Sequence, residues 1–495
     1  MAPVRARQPG SRSLASPGRV PAVRRLGDVV PEEGILAARG VLNRSITGLA
    51  TDPRRVRPGF VYFAEDGVGA DGLRFVDEAV RRGAVAVVAN RMPLLGPGGA
   101  TLVQVPSVAV AVARAAQRFF GHPDRQLDVV AVRGAAGRTS VAHLLQKLLG
   151  GDGAVGLVGA THYHLGRRTV PCLSGTPGVI DLMGMLAQMR DAGCRQAVIE
   201  DEATATAGEG AGLRLAGVVV LGGESREVGD RAGAGDGPRD VWGYAQVGRR
   251  RVTFGGGSDA EVRAETISLR ADGTRFRLVW PEGGLDVESQ LIGSAHVRHV
   301  LAAVATAWAL GRDPVRVVAA LRSVGGVPGC LERLPQGQPF TVLVDRSGDP
   351  DGLRQALADL REVTTGRLLA VFGCAGNGDR TRRADVVRAV QAGADLAVAT
   401  ADNPRAEPLA RIFADMRAGV TAPGRIVWIE DRRRAIACAL ELARPGDCVL
   451  LAGKGPDAVQ ELGDTVFPFD DRVVARELLA EGARTGERGG CRAAL

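Results

Sequence analysis

The chain has 495 residues, of which 45% are hydrophobic and 24% charged, and its formal net charge is +8. This length is enough for about three domains with their own cores, and the lack of an apolar run of transmembrane length predicts a soluble protein with no membrane span. The charge comes from arginine, since Lys147 and Lys454 are the only lysines. Aromatic residues make up 4% and form no platform with basic residues, which argues against nucleic-acid binding as the main role.

The start of the chain differs in composition from the rest. Its first 26 residues contain six arginines and no acidic residue, a pattern that fits a transit peptide or a disordered tail. Because no amphipathic helix is evident, we favour a disordered basic tail over residues 1–30. Seven scattered cysteines, none spaced as CxxC, predict a reducing cytoplasmic location and no structural zinc.

Short strands and helices alternate along the chain and predict an α/β protein. Residues 31–125 are expected to form a small α/β domain, and residues 126–324 a second α/β domain. In the first, a helix over 75–82 leads into a strand over 84–88. The second is predicted to contain a strand at 129–132, a helix at 141–149, a helix at 178–192, strands at 196–199 and 217–221, an exposed loop at 222–240, strands at 251–254 and 275–280, and a helix at 296–310.

The third predicted domain covers residues 325–470. The regular alternation of its elements predicts a doubly wound sheet with helices on both faces. A terminal helix and tail are predicted over 471–495. The elements of the third domain are strands at 341–344, 368–372, 396–400 and 448–452, and helices at 351–362, 384–391, 406–418 and 432–443.

The segment RGAAGRTS has the build of a loop that binds phosphate between a strand and a helix. Free backbone N–H groups around Gly134, Gly137 and Ser140 favour an anion, and Thr139 stands where a hydroxyl would hold Mg²⁺. Arg138 replaces the usual lysine, and its planar guanidinium is not a compact ammonium. The segment therefore predicts phosphate binding, whereas the replacement of lysine weakens the case for phosphoryl transfer. A glycine-rich turn without a ligand has the same pattern.

Four segments in chain order resemble the Mur ligases, and within that family the MurE type. TDPRRVRPG followed by ADG resembles the DSRxVxPG…DG signature of a uridine-binding domain, and RGAAGRTS resembles GTNGKT. FGCAGNGDRTRR resembles FGCGGDRDxxKRP, while DNPR and AGKGPDAVQ resemble DNPR and AGKGHExYQ. These matches span residues 40–465. The resemblance implies a three-domain Mur ligase architecture, in which a uridine-binding domain precedes a central P-loop-type ATPase-like domain and a C-terminal Rossmann-like domain.

The resemblance also implies a reaction, in which ATP and Mg²⁺ convert a carboxylate of a UDP-muramoyl dipeptide to an acyl phosphate that meso-diaminopimelate attacks. Glu200 and Arg138 would be catalytic, and Mg²⁺ would be held by Thr139 and Glu200. Arg405, at the start of the predicted helix over 406–418, would bind a substrate carboxylate through two hydrogen bonds of its guanidinium, assisted by the helix dipole. The alternative for an isolated DNPR segment is an ordinary turn. The nucleotide would contact Gly134, Gly137, Arg138, Thr139, Ser140 and Asp345, and the substrates Thr176, Arg383, Asp402, Asn403, Pro404, Arg405, Gly453 and Asp457.

Several positions depart from the family pattern. The EVSSHAL motif becomes EDEATAT, the carbamylated lysine falls on Gly248, and in DYAHTP only Asp345 and Pro350 remain. Cys330 replaces an arginine, and two asparagines become His296 and His299. This histidine pair has the spacing of metal ligands on a helix, but no third ligand is evident, so we favour surface or cap histidines.

Losing one preorganised catalytic donor costs about 10²–10³ in rate, so three hypotheses remain open. The chain is an active MurE-type ligase, or a non-catalytic homologue that acts as a binding, regulatory or scaffold protein with unknown protein partners. The third hypothesis is a ligase for another acid and amine. In that case Glu200, Asp201 and Glu202 would rebuild the metal site, although a solvated turn explains these extra acids more simply.

Overall fold

The structure is a computed structural model that describes residues 23–65, 72–92, 99–134, 137–150, 155–172, 177–201, 213–222 and 241–485. Within these ranges the chain forms three main sheets, each with helices packed on both faces. No helix in the described ranges is long and apolar enough to cross a membrane.

The first unit is a small sheet between two helices. Its elements are β1 (Arg24–Arg25), α1 (Leu26–Val29), β2 (Ala37–Arg39), β3 (Ser45–Ile46), β4 (Gly48–Ala50), β5 (Phe60–Phe63), α2 (Val76–Arg81), β6 (Ala84–Ala89), β7 (Thr101–Gln104) and α3 (Val108–Phe119). The strands run in the order β2-β7-β6-β5-β4, parallel except for β2. Helix α2 packs on one face and α3 on the other.

The start of this unit corrects the predicted tail. Residues 1–22 lie outside the described residues, but Leu26 and Val29 are 0% and 1% exposed. They belong to the core that α3 also completes. The prediction of a disordered tail is therefore wrong for the part between Arg24 and Val30, because its apolar side chains are buried.

The second unit is built on a long mixed sheet. Its elements are β8 (Asp128–Gly134), α4 (Arg138–Leu149), β9 (Val155–Val158), β10 (His162–His164), β11 (Thr169–Pro171), α5 (Val179–Asp191), β12 (Gln196–Glu200), β13 (Gly217–Leu221), β14 (Val241–Val247), β15 (Arg250–Gly255), β16 (Val262–Arg270), β17 (Gly273–Trp280), β18 (Gly283–Ser289), α6 (Ser294–Ala309) and α7 (Pro314–Leu321). The order is β11-β10-β9-β12-β8-β13-β14-β15-β16-β17-β18. Strands β9, β12, β8 and β13 are parallel.

Helices α4, α6 and α7 cover one face of this sheet, and α5 covers the other, where it meets α3 of the first unit. The predicted strands of this unit and its helices at 141–149, 178–192 and 296–310 are confirmed. Strands β9, β10, β11, β14, β16 and β18 were not predicted. Strand β16 shows why such strands are hard to predict from sequence. Most of its side chains are exposed, and the alternation of buried and exposed residues is weak. Apart from Gly222, the predicted loop over 222–240 lies outside the described residues.

The third unit is a doubly wound sheet, as predicted. Its elements are β19 (Glu332–Arg333), β20 (Thr341–Asp345), α8 (Pro350–Val363), β21 (Leu368–Phe372), α9 (Arg383–Gly393), β22 (Leu396–Ala399), α10 (Leu409–Arg417), β23 (Ile426–Trp428), α11 (Arg432–Leu442), β24 (Cys448–Ala452), β25 (Val459–Leu462), β26 (Thr465–Pro468) and α12 (Asp471–Thr485). The order β19-β20-β24-β21-β22-β23 is parallel except for β19. Helices α8, α9 and α10 pack on one face, and α11 and α12 on the other.

A buried ion pair attaches the terminal helix to this unit. Arg432 donates to both carboxylate oxygens of Asp471, at 2.8 and 2.7 Å, and both side chains are fully buried. The same guanidinium donates to the carbonyls of Ala401 and Ala452, at 3.3 and 2.9 Å. One side chain thus joins α11, α12 and the carboxyl ends of β22 and β24.

Replacing Asp471 tests this attachment. We expect Asp471→Asn to lower the free energy of unfolding by about 3–5 kcal/mol, because a buried guanidinium loses its counter-charge. Urea unfolding of the full chain measures the change. Arg433→Ala is the control, since Arg433 is part-exposed and pairs with Glu477 on the surface, and we expect a cost below about 1 kcal/mol. Equal effects of the two substitutions would contradict the assigned role of Asp471.

Candidate active site

The glycine-rich loop lies between β8 and α4, at the carboxyl edge of the central sheet. Gly137 has a φ of +82° and precedes the first residue of α4. A Cβ at this position would lie 2.2 Å from Nε2 of His299, so only glycine fits without displacing that ring. Arg138 Nη1 donates to the carbonyl of Gly134, which folds the guanidinium back along the loop. Residues 135 and 136 lie outside the described residues.

The structure brings Thr139 and Glu200 together, as the predicted metal site requires. Thr139 Oγ1 donates to Glu200 Oε2 at 2.9 Å, and the N–H of Ala160 donates to Glu200 Oε1 at 2.9 Å. Burial raises the pKa of Glu200, while these two hydrogen bonds and the charges of Arg346 and Arg138 act in the opposite direction.

Arg346 is a site residue that the sequence analysis did not identify. It follows β20 of the third sheet, and its Nη1 donates to Thr139 Oγ1 in the central unit. The partners are 207 residues apart. A charged side chain directly after a buried parallel strand was the available signal, because such positions line the ligand-binding edge of α/β sheets.

The residues in this cleft do not fit a Mg²⁺ ion. Mg²⁺ at a nucleotide site is usually held by one or two protein groups together with waters and substrate phosphates, and Thr139 and Glu200 could supply that share only if the Thr139 hydroxyl were free. The described residues contain no group of three or more His, Cys, Asp or Glu side chains that could hold a metal. In addition, the Arg346 guanidinium donates to the Thr139 hydroxyl that would have to bind the ion.

Asp201 does not rebuild a metal site, nor is it part of a solvated turn as we had favoured. Its side chain is fully buried, and Oδ2 accepts a hydrogen bond from Arg133 Nε at 2.7 Å. Glu202 lies outside the described residues.

The neighbouring predicted residues hold the junction between the second and third units. Asp345 is buried and accepts from the N–H groups of Leu331 and Ser347, each at 2.8 Å. Ser140 is 2% exposed and forms a side-chain hydrogen bond with Cys330, whose pKa is raised to about 12 by burial. Neither Asp345 nor Ser140 therefore presents its side chain freely to a nucleotide.

The two histidines of α6 pack against each other. His296 Nε2 lies 3.1 Å from the carbonyl oxygen of Cys330, and the rings of His296 and His299 meet edge to face at 5.4 Å. Burial lowers the pKa of His299 to about 3, with smaller contributions from His296 and Arg298. A surface location, which we favoured from the sequence, is wrong for His296, which is 3% exposed.

The expected position of the carbamylated lysine is also wrong. Gly248 lies in the turn between β14 and β15, next to Val247, which pairs with Gly217 at the start of β13. Gly134 of the phosphate loop pairs instead with Leu221, at the end of β13. Gly248 is therefore at the opposite edge of the sheet, and no side chain there would reach the cleft.

The DNPR segment follows β22 and is held by a lysine. Asn403 Oδ1 accepts from Lys454 Nζ at 3.3 Å and from the N–H of Glu461 at 3.1 Å. Oδ1 of Asp402 is buried and has no hydrogen-bond partner among the described residues. The Asn403 side chain is thus used in folding, whereas Asp402 retains an unused acceptor.

Arg405 does not begin a helix, contrary to the prediction. Helix α10 starts at Leu409 after Pro408, because a proline disfavours the helical conformation of the residue before it. Arg405 has a φ of +55°, so the expected help from the helix dipole is wrong.

The Arg405 side chain nevertheless has a defined position. Its Nε donates to Glu461 Oε2 at 3.0 Å and its Nη1 to the carbonyl of Gly376 at 3.4 Å. Nη2 makes no hydrogen bond to the described part of the chain, and 45% of the side chain is exposed. A Cβ at Gly376 would lie 1.8 Å from the carbonyl oxygen of Pro404, so glycine permits this close approach of the two loops.

The remaining predicted substrate residues have mixed outcomes. The N–H of Gly453 donates to the carbonyl of Asp345 at 3.0 Å, and Gly453 follows β24 at the same edge as Asp402. Asp457 is exposed, and its N–H donates to the carbonyl of Lys454 at 3.0 Å. Thr176 lies outside the described residues.

Arg383 is not placed to contact a substrate. Its side chain is 3% exposed and donates to both carboxylate oxygens of Glu407, at 2.8 and 2.6 Å. It also donates to Asp415 Oδ2 at 2.8 Å and to the carbonyl of Ala375 at 3.2 Å. These contacts connect α9 to α10, so the expected contact with the substrate gives way to a structural role.

A cavity of about 350 Å³ lies between the first unit and α5, beside the segment that resembles the uridine-binding signature. Arg55 and Asp181 in its wall form a two-pronged ion pair at 2.8 and 2.6 Å. Burial raises the pKa of Glu65, another residue of the wall. The cavity combines charged groups with apolar side chains of α3 and α5.

Comparisons with known proteins bear on the whole chain. A family model described as Mur ligase, glutamate ligase domain, matches residues 331–455. The chain is 34% identical over 472 residues to the UDP-N-acetylmuramoyl-L-alanyl-D-glutamate--2,6-diaminopimelate ligase of Geobacillus thermodenitrificans, which covers 89% of this chain and 96% of that protein. The chain belongs to the Mur ligase family and is of the MurE type.

Solved structures confirm the Mur ligase architecture. A structure of a UDP-N-acetylmuramoyl-L-alanyl-D-glutamate--2,6-diaminopimelate ligase superposes with a TM-score of 0.60 at 24% identity, over 94% of this chain and 100% of that chain. A MurF ligase from Thermotoga maritima in complex with ADP superposes with a TM-score of 0.53 at 17% identity, over 88% of this chain and 96% of that chain. The three sheets of this MurE-type chain are thus the expected three-part fold, although the domain boundaries given above stay predictions.

The role of Arg383 in this Mur ligase is open to a direct test. We expect Arg383→Met to lower the free energy of unfolding by about 3 kcal/mol or more, because a buried ion network loses its centre. Urea unfolding measures this change, and binding of meso-diaminopimelate by the folded protein should stay within about threefold, equivalent to less than 1 kcal/mol. Arg388→Ala, which removes an exposed pair with Asp385, is the control. Lost affinity at unchanged stability would restore Arg383 as a substrate residue.

Proposed function

We propose that this MurE-type chain binds the substrates of the diaminopimelate ligase reaction and converts them far more slowly than an ordinary enzyme. In that reaction a carboxylate of UDP-N-acetylmuramoyl-L-alanyl-D-glutamate takes the terminal phosphoryl group of ATP and releases ADP. The amine of meso-diaminopimelate then attacks the acyl phosphate, so that an amide forms and phosphate leaves. The product belongs to peptidoglycan synthesis.

The contact between Arg346 and Thr139 carries the proposal of slow conversion. Phosphoryl transfer depends on preorganised positive charge around the phosphates. In this chain the Thr139 hydroxyl, which would bind the metal, accepts a hydrogen bond from the Arg346 guanidinium and donates to Glu200. Arg138 stands where the family's loop has a lysine. A guanidinium carries one charge on a planar group, so it supplies less stabilisation to a developing phosphoryl charge than a divalent ion does.

Substrate binding is supported by the loops around Arg405. The guanidinium is held by Glu461 and Gly376, and its Nη2 remains available for a carboxylate. The buried Oδ1 of Asp402 provides an acceptor without a partner in the described chain, which suits an ammonium group of a diamino acid. Binding of ADP by the solved MurF relative supports a nucleotide as the ligand of the cleft.

A second candidate function is a binding or scaffold protein without any turnover. The observation that favours it is the combination of an ordered Arg405 pocket with a cleft that does not fit Mg²⁺. The two candidates differ only in whether the bound substrates react.

The turnover test separates them. With purified chain, ATP, UDP-N-acetylmuramoyl-L-alanyl-D-glutamate, meso-diaminopimelate and Mg²⁺, we expect phosphate release that depends on the amine at a rate about 10²–10³-fold below the median enzyme turnover of about 10 s⁻¹. Omitting meso-diaminopimelate gives the background. A rate of about 1 s⁻¹ or more would contradict slow conversion, and no amine-dependent release over hours would favour the scaffold.

Binding of the amino acid is tested at Arg405. We expect Arg405→Ala to weaken meso-diaminopimelate binding about 10-fold or more, because a charge-assisted hydrogen bond contributes roughly 1.5–3 kcal/mol. Isothermal titration calorimetry measures the affinity. Arg411→Ala is the matched control, since Arg411 is an exposed arginine of α10 that lies 3.8 Å from Glu407, and its affinity should equal that of the unaltered chain. Equal affinities of all three proteins would remove Arg405 from the site.

A further inference from the structure

We propose that Arg346 takes the place of a divalent cation in the cleft, so that the cleft binds a nucleoside triphosphate without a metal ion. This inference rests on the proposed function for its class of ligand. It concerns binding, whereas the proposed function concerns turnover.

The position of the guanidinium is the first step. Thr139 Oγ1 donates its proton to Glu200 Oε2 and accepts from Arg346 Nη1. A metal ion at this hydroxyl would have to bind an oxygen whose proton goes to Glu200 and one of whose two lone pairs is engaged by Arg346, and it would lie directly against the guanidinium charge. Arg346 and an inner-sphere cation therefore compete for Thr139.

Arg346 is delivered to this place by a fixed backbone. The preceding residue, Asp345, is buried and accepts from two N–H groups, those of Leu331 and Ser347. On the other side, a Cβ at Gly455 would lie 2.5 Å from the Cβ of Arg346, so the loop after β24 packs directly against it. Two loops therefore hold the backbone of residue 346 in place, although its side chain is exposed in the cleft.

Charge balance is the second step. The Glu200 carboxylate lies in the field of both Arg346 and Arg138, and the neighbouring Asp201 is paired with Arg133. The carboxylates that would attract a divalent cation are thus already compensated by guanidinium groups of the chain. A guanidinium is also a good partner for phosphate oxygens, and Arg346 is accessible to a ligand that enters the cleft.

The test is ATP binding with and without a divalent cation. Isothermal titration calorimetry of the full chain with ATP is performed in EDTA and again in excess Mg²⁺. We expect the two dissociation constants to agree within about threefold, which corresponds to less than 1 kcal/mol. Tightening by Mg²⁺ of tenfold or more, or no ATP binding in either buffer, would overturn the proposal.

Variants assign the effect to the residue. We expect Arg346→Ala to weaken ATP binding in EDTA at least tenfold and to make binding respond to Mg²⁺, while Arg346→Lys, which keeps a positive charge, retains binding in EDTA within about threefold. Arg354→Ala is the matched control, because Arg354 is an exposed arginine of α8 that pairs with Asp351. If Arg346→Ala binds ATP in EDTA as well as the control does, the proposal fails. Should that variant not fold, the comparison of the unaltered chain in the two buffers still decides.

The binding and turnover experiments fail independently. Metal-independent ATP binding without any amine-dependent phosphate release would overturn the proposed reaction and leave the role of Arg346 intact. Binding that requires Mg²⁺ together with slow amine-dependent release would do the reverse.

Discussion

The hydrogen bond from Arg346 to Thr139 joins the two sheets that form the cleft. Both residues lie at carboxyl ends of parallel strands or just beyond them, where ligands bind in open α/β sheets. The bond brings the third unit onto the phosphate loop by means of the protein's own side chains. It also determines which charges a ligand meets, because it places a guanidinium beside the Glu200 carboxylate.

Much of the third sheet was predictable because its strands are short, apolar and separated by amphipathic helices. The buried strand Leu368–Phe372 was predicted with its bounds unchanged. Exposed strands such as β16 were not predicted, because such a strand depends on pairing with neighbouring strands and leaves no clear pattern of buried residues in the sequence. Similarly, the prediction that a helix starts near residue 406 ignored Pro408, whose ring restricts the residue before it.

The candidate site was predictable where it depends on local sequence. Thr139 and Glu200 were expected together on the strength of two motifs, and they lie 2.9 Å apart. Arg383 was expected to face the substrate, but its role depends on Glu407 and Asp415, which no motif contains. Arg346 was missed for a related reason, since a contact across 207 residues is a property of the tertiary structure.

A guanidinium and a divalent cation have different consequences for binding and for catalysis. Binding needs positive charge in the ground state, and Arg346 already provides it without recruiting an ion. Catalysis needs interactions that strengthen as the reaction proceeds, and a guanidinium tethered to Thr139 has little freedom to follow the charge that develops on the transferred phosphoryl group. The proposed exchange of the cation for Arg346 would therefore weaken acceleration more than affinity, and this difference accounts for both the ordered ligand cleft and the proposed slow turnover.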